Sequence, residues 1–247
     1  MKNKQSKRLI DLNKESKDSG LTRETLAEGS ETLQSGTRIV AMADLHCQTP
    51  EIPDGDILIL PGDLTWRGNL KELERVCRYL GLLPHKHKIA IAGNHDWCFQ
   101  QKIHKKAEKM LEDVGVTYLK DSGVDILGTK IYGSPWQPEF HAWAFNVNRG
   151  DLHHHWDKIP NDLDILVVHG PPYGYGDMTT RGERVGCEEL ALNLTKTKPK
   201  YVFYGHIHED TGIWSMNNGL TKLYNCSIGP DHSLYGKDAG KPVVVDI

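Results

Sequence analysis

Five apolar stretches of the sequence are each followed at once by side chains that can hold divalent cations. Residues 38–43 run into Asp44-Leu45-His46, and 57–60 into Pro61-Gly62-Asp63. Residues 88–92 run into Gly93-Asn94-His95-Asp96, 165–168 into His169-Gly170-Pro171-Pro172, and 201–204 into Gly205-His206-Ile207-His208. Carboxylate, carboxamide and imidazole donors without thiolate suit borderline ions such as Mn, Fe, Co or Zn. The candidates Asp44, His46, Asp63, Asn94, His169, His206 and His208 exceed what one ion accepts while leaving room for a substrate. Two ions sharing a carboxylate accommodate them. Such a pair, ~3.5–4 Å apart, can polarise a substrate oxygen and activate a water as nucleophile. Taken singly, Asp-x-His is commonplace, Gly-Asp after a strand is usually a turn, and His-x-His is usually two exposed rings. Their succession, each after an apolar run, is what points to a site.

These side chains need strands whose carboxyl ends share one edge, the place where open α/β sheets bind ligands. The pattern between the motifs supplies such a frame. Residues 69–82 read as a helix with Leu70, Leu73, Val76, Cys77 and Leu80 on one face and Gly81 near its end. A second helix is expected over 101–114 and a third over 188–195. Further strands are expected around 124–127, 129–133, 222–225 and 243–245. The alternation predicts one α/β domain over 37–247 with buried central strands. Residues 1–36 are rich in Lys, Glu, Ser and Thr without a sustained period, which predicts a flexible arm with a weak helix near 21–33.

Composition excludes some functions. A net charge of −3 gives no electrostatic reason to expect nucleic-acid or membrane binding. No apolar run approaches the ~20 residues of a membrane span, and the first residues lack a signal-peptide core. Five cysteines without paired spacing read as free thiols in a reducing cytoplasm. Cys47 and Cys98 stand near the candidate ligands but lack zinc-knuckle spacing.

The order D-x-H, G-D, G-N-H-[DE], H-G and G-H-x-H resembles the calcineurin-like metallophosphoesterase superfamily over about residues 37–229. Tyr132-Gly-Ser-Pro-Trp-Gln-Pro, Ala142-Trp-Ala-Phe-Asn and Asp164-Ile-Leu-Val-Val-His-Gly-Pro-Pro look like its metallophosphoesterase-domain-containing branch, akin to class III cyclic-nucleotide phosphodiesterases. The resemblance implies a β-sandwich of two mixed sheets flanked by helices, four layers in all, with metals at one edge. It implies that Asp44, His46 and His208 hold one ion and that Asn94, His169 and His206 hold the other. Asp63 would bridge the two, and His95 would face the phosphate as the catalytic group. Manganese is the expected ion, with iron, zinc or cobalt as alternatives. With both His206 and His208 present, the set has no gap, which favours an enzyme over a binding scaffold.

The expected activity is hydrolysis of small phosphodiesters, cyclic nucleotides among them. Phosphomonoesterase, protein phosphatase or nuclease activity at the same centre is the alternative. Asp96 either orients His95 or an adjacent ligand, or caps the following segment. Trp136, Phe140, Trp143 and Phe145 either wall a substrate cleft or pack their loop onto the domain. His153-His154-His155 reads as a surface cluster, and Arg181 or Arg184 as possible phosphate contacts. The oligomeric state is not encoded in any of these features.

Overall fold

Strands that are apolar on both faces need a covering layer on each side, and the chain supplies four layers. The structure is a computed structural model describing residues 36–229 and 241–247. The expected helix near 21–33, and the arm up to residue 35, lie outside the described residues. In the first sheet β1 (Arg38–Ala41), β2 (Ile57–Pro61), β3 (His87–Ile91) and β4 (Val116–Tyr118) run parallel, and β13 (Val243–Asp246) pairs antiparallel with β1. In the second, β6 (Thr129–Ser134), β9 (Ile165–Val168), β10 (Tyr201–Tyr204) and β12 (Thr221–Asn225) are the parallel centre. Antiparallel edges β5 (Ser122–Ile126) and β11 (Gly212–Met216) close that sheet, and β7 (Gln137–Pro138) pairs with β8 (Asn146–Val147) apart from both.

The side-chain period of two assigns each residue to a layer. Ile39, Ala41, Ile57, Ile59, Ile89 and Ile91 meet Ile131, Ile165, Val167 and Phe203 between the sheets. Their alternates Val40, Leu58, Leu60 and Ala90 point outward, onto α1 (Leu70–Leu82) and α2 (His104–Glu112), through Leu73, Val76, Leu80 and Leu111. The outer face of the second sheet is covered by Trp156 of α3 (His153–Trp156) and by Leu190 and Leu194 of α4 (Glu188–Thr197). Burial on both faces is why the central strands read as unbroken apolar runs.

Several boundaries differ from the sequence reading. Asn69 is the cap of α1 rather than its first turn, its Oδ1 accepting from Glu72 N at 3.0 Å. The helix expected over 101–114 is shorter, starting at His104 after an Ile103 cap that offers no side-chain acceptor. Strands β4 and β11 were not anticipated. Each is a sheet edge with too few buried side chains to show a period.

Candidate metal centre

The carboxyl ends of β1, β2 and β3 in one sheet and of β9 and β10 in the other converge, and the loops beyond them carry every expected site residue. The turns are tight enough that Asp44, His46, Asp63 and His206 adopt left-handed backbone, with φ of 62°, 46°, 53° and 70°. For residues other than glycine this costs on the order of 1–3 kcal/mol each and persists only when neighbours over-determine it. Here the loops are laced together: Asp44 N donates to Gly62 O at 3.1 Å, His46 N to Asp63 O at 3.0 Å and Gly205 N to His169 O at 3.0 Å. Close approach also dictates two glycines. A Cβ at Gly93 would stand 2.3 Å from Asp63 Oδ1, and one at Gly205 2.3 Å from Asp44 Oδ2.

Each buried carboxylate commits one oxygen to backbone and turns the other toward imidazoles. Asp63 Oδ1 accepts from His95 N at 2.8 Å, while Oδ2 lies 3.8 Å from His46 Nε2 and 3.5 Å from His169 Nε2. Asp44 Oδ2 accepts from His206 N at 3.0 Å, while Oδ1 lies 3.3 Å from His208 Nε2. His169 Nδ1 donates to the carbonyl of Pro61 at 2.9 Å, and its Nε2 faces Asn94 Oδ1 at 2.8 Å. Three compact groups result, each with donor atoms within 4.8 Å of one another. They are Asp44, His46 and His208; Asp63, His169 and His206; and His46, Asp63 and His95.

Electrostatics couple the groups. Burial alone would depress His169, but the Asp63 and Asp44 charges outweigh it and raise the imidazole to about 9. Burial, then the charge on His169, pushes His206 down to about 3. Burial lowers His46, whereas Asp44 lifts His208 against its own burial. Asp63 stays below the usual carboxylate range because His169 offsets its burial. The donors fit divalent cations: His46 Nε2 is buried with no hydrogen-bond partner, a state native proteins rarely leave uncompensated. The Nε2 of His169 and Oδ1 of Asn94 stand as neighbours on one ion would, since two bonds of ~2.1 Å at right angles separate donors by about 3 Å.

Asp96 is fully buried and does not line the cleft. Its carboxylate accepts from Leu64 N (3.1 Å), Thr65 N (2.8 Å), Thr65 Oγ1 (2.7 Å) and Gly93 N (2.9 Å), clamping the Asp63 loop to the Asn94 loop. It makes no cap bond to the turn Trp97–Phe99. Burial and the nearby Asp63 charge push its carboxyl up to about 6. Asp96→Ala strands three backbone N–H groups and a hydroxyl, at ~1–3 kcal/mol each. We expect a loss on the order of 4 kcal/mol and a fall in Tm of roughly 10 °C. Melting within about 2 °C of the parent would show that the clamp carries little stability.

The aromatic segment divides between both expectations. Phe145 is buried in the core and Trp136 packs against it, ring centroids 5.4 Å apart. Trp143 lies 4.2 Å from the His95 ring, and Phe140, half exposed, 6.0 Å from His206. Trp66, 44% exposed, joins them at 5.2 Å from His95, with its carbonyl accepting from His95 Nδ1 at 2.7 Å. Sequence reasoning missed Trp66, although a large ring three residues beyond Asp63 was the available signal. His155 pairs with Asp121 at 3.0 Å and stacks on Trp136, so the histidine run does not gather as a metal group. Arg184 is held by Asp177 at 2.5 Å, Cys98 is buried in the core, and Cys47 packs against that core's edge.

A model of the calcineurin-like phosphoesterase family fits residues 37–210. Metallophosphoesterase domain-containing protein 1 of Homo sapiens is 37% identical over 236 residues, covering 85% of this chain and 71% of that one. A UPF0046 protein of Caenorhabditis elegans is 36% identical over 236 residues, covering 87% and 82%. The crystal structure of TT1561 of Thermus thermophilus superposes with a TM-score of 0.53 at 14% identity, covering 77% of this chain and 89% of that one.

Proposed function

Because the chain belongs to the calcineurin-like phosphoesterase family, we propose that it hydrolyses small phosphodiesters, nucleotides among them, with two divalent ions. One observation carries the reading: the free oxygen of Asp63 stands between His46 of one donor group and His169 of the other. Asp44, His46 and His208 would hold one ion, Asn94, His169 and His206 the other, with Asp63 common to both. Manganese is the ion we propose, and iron, zinc or cobalt suit the same donors. When bound, the ions supply Lewis-acid polarisation of the phosphate and a nucleophile at neutral pH.

The chain's own groups do the rest. Carbonyls of Pro61 and Thr65 face the outer nitrogens of His169 and His46, which sets the imidazoles' tautomers. With Nδ1 engaged by the Trp66 carbonyl, His95 has Nε2 uncommitted and would use it to protonate the departing oxygen. Trp66 and Phe140 offer apolar surface beside the centre for the second ester substituent of a diester. No helix among the described residues is long and apolar enough to cross a membrane. The five free cysteines agree with a reducing compartment, and we propose the cytoplasm.

The test is activity on bis-p-nitrophenyl phosphate, p-nitrophenyl phosphate, 2′,3′-cyclic AMP and 3′,5′-cyclic AMP after chelation and Mn²⁺ reconstitution. Metal-restored cleavage of the diesters, with little on the monoester, is expected. Monoester preference would replace the reading by a phosphomonoesterase, and silence without bound metal by a scaffold. Stability supplies a check independent of substrate. Free Mn²⁺ at a hundredfold its dissociation constant stabilises the fold by about 2.7 kcal/mol. Chelation should therefore lower Tm by roughly 5–10 °C. An unchanged melt would count against tight metal binding.

A further inference from the structure

His95 works only if its ring is held still. The Trp66 carbonyl oxygen can only accept, so His95 Nδ1 carries a hydrogen and Nε2 alone is left for chemistry. That single bond leaves the ring free to swing, because the terminal torsion of a histidine is broad and shallow. Three rings restrict it: Trp143 at 4.2 Å and 35°, Trp66 at 5.2 Å and 33°, and His46 edge-on at 4.7 Å and 81°.

Trp143 differs from the other two in what else it touches. Among the described residues its one aromatic contact is His95, whereas Trp66 and His46 also contact each other. Like Trp66 it packs into none of the hydrophobic core clusters of the described residues, although Ala144 and Phe145 beside it are core residues. Its backbone is tied to the same frame: Ala144 N donates to Asn94 O at 3.0 Å, and Phe145 N to Gln100 Oε1 at 2.9 Å. Farther along the loop, Asn146 Nδ2 holds the carbonyls of Phe140 and His141 at 3.1 and 2.8 Å. A large ring placed by neighbours on both sides, yet spending its contact on one catalytic imidazole, contributes little to the core.

We propose that Trp143 is a positioning residue that fixes the His95 ring so that Nε2 meets the leaving oxygen. The inference rests on the proposed role of His95 as proton donor. Misplacement of a reacting group by ~1 Å can cost about a hundredfold in rate. Trp143→Ala is therefore expected to lower kcat roughly ten- to a hundredfold, with KM and metal content nearly unchanged, and Trp143→Phe to recover most of the loss.

The test compares parent, W143A, W143F and H95A, all Mn²⁺-loaded, on aryl methyl phosphates whose leaving phenols range from p-nitrophenol to phenol. A proton donor matters most for the poorest leaving group. H95A should lose most on the phenyl ester, and W143A should lose in the same graded way. A W143A loss equal for every leaving group, or no loss, overturns the positioning role. H95A without the gradient overturns the proton-donor reading itself, and the two failures are thereby told apart. A second readout needs no turnover. In the metal-free parent the Nδ1–H proton of His95 should give a protected NMR resonance that W143A exposes to solvent exchange and W143F retains. Equal protection in W143A and the parent overturns the proposal, even if W143A melts lower.

Discussion

Replacing Asp63 with asparagine is expected to empty at least one of the two proposed metal positions and reduce diester hydrolysis to the uncatalysed rate. The side chain is fully buried, and its two oxygens have separate tasks. Oδ1 holds the backbone of His95, and Oδ2 faces His46 and His169. Asparagine preserves the shape and an oxygen acceptor but removes the charge that two cations would share. One neutral oxygen facing two divalent ions cannot offset their mutual repulsion at short range. Metal analysis after reconstitution should fall from two ions per chain to one or none. The metal-free fold should survive, because the variant relieves the cost of a buried carboxylate while keeping the hydrogen bond to His95 N. Two ions retained with parental turnover would remove Asp63 from the bridging role and, with it, the observation on which the proposed function stands.

The second large effect is expected at His95. Its ring lies at the edge of the centre, with Nδ1 engaged by Trp66 O. His95→Ala leaves the seven proposed ligands in place, so metal content and chelation-sensitive melting should match the parent. Loss of a general acid typically costs ~10²–10⁴-fold, about 2.7–5.4 kcal/mol at 1.36 kcal/mol per decade. The loss should appear in kcat more than in KM, as for a contact made only in the transition state. Donor atoms of His95, His46 and Asp63 also lie within 4.8 Å of one another, so a different outcome is informative. Loss of one ion from His95→Ala would make His95 a ligand. Parental activity with both ions would deny it either role.

Much of the site was legible because strand-end motifs are local. A run of buried residues followed at once by Asp-x-His or Gly-Asn-His-Asp needs only strand direction to place its side chains at a carboxyl edge. β1, β2, β3, β9 and β10 all lie within a residue or two of their expected limits. α1 was equally visible, since Leu73, Val76, Cys77 and Leu80 repeat with helical spacing and are the residues it buries. Two of the four sheet-edge strands were not, because β4 and β11 each present too little buried surface for a pattern of period two.

Roles that depend on contacts across the chain could not be read this way. Asp96 is sequence-adjacent to His95, which invited the idea that it orients that ring. Folding instead turns its carboxylate away to Leu64 and Thr65, some thirty residues earlier in the chain. Trp136 and Trp143 are the same residue type seven positions apart, yet one packs against the core and the other lies on His95. His95 takes its hydrogen-bond partner from a main-chain carbonyl, which has no sequence signature at all. The sequence by itself determined which donor chemistries stand at the strand ends and the α/β pattern of the elements that carry them. Only the tertiary structure decided which donors share a carboxylate, which ring braces the imidazole and which acid clamps the loops. Those choices depend on distances of a few ångströms between segments from opposite sheets, and such distances exist only once both sheets are packed.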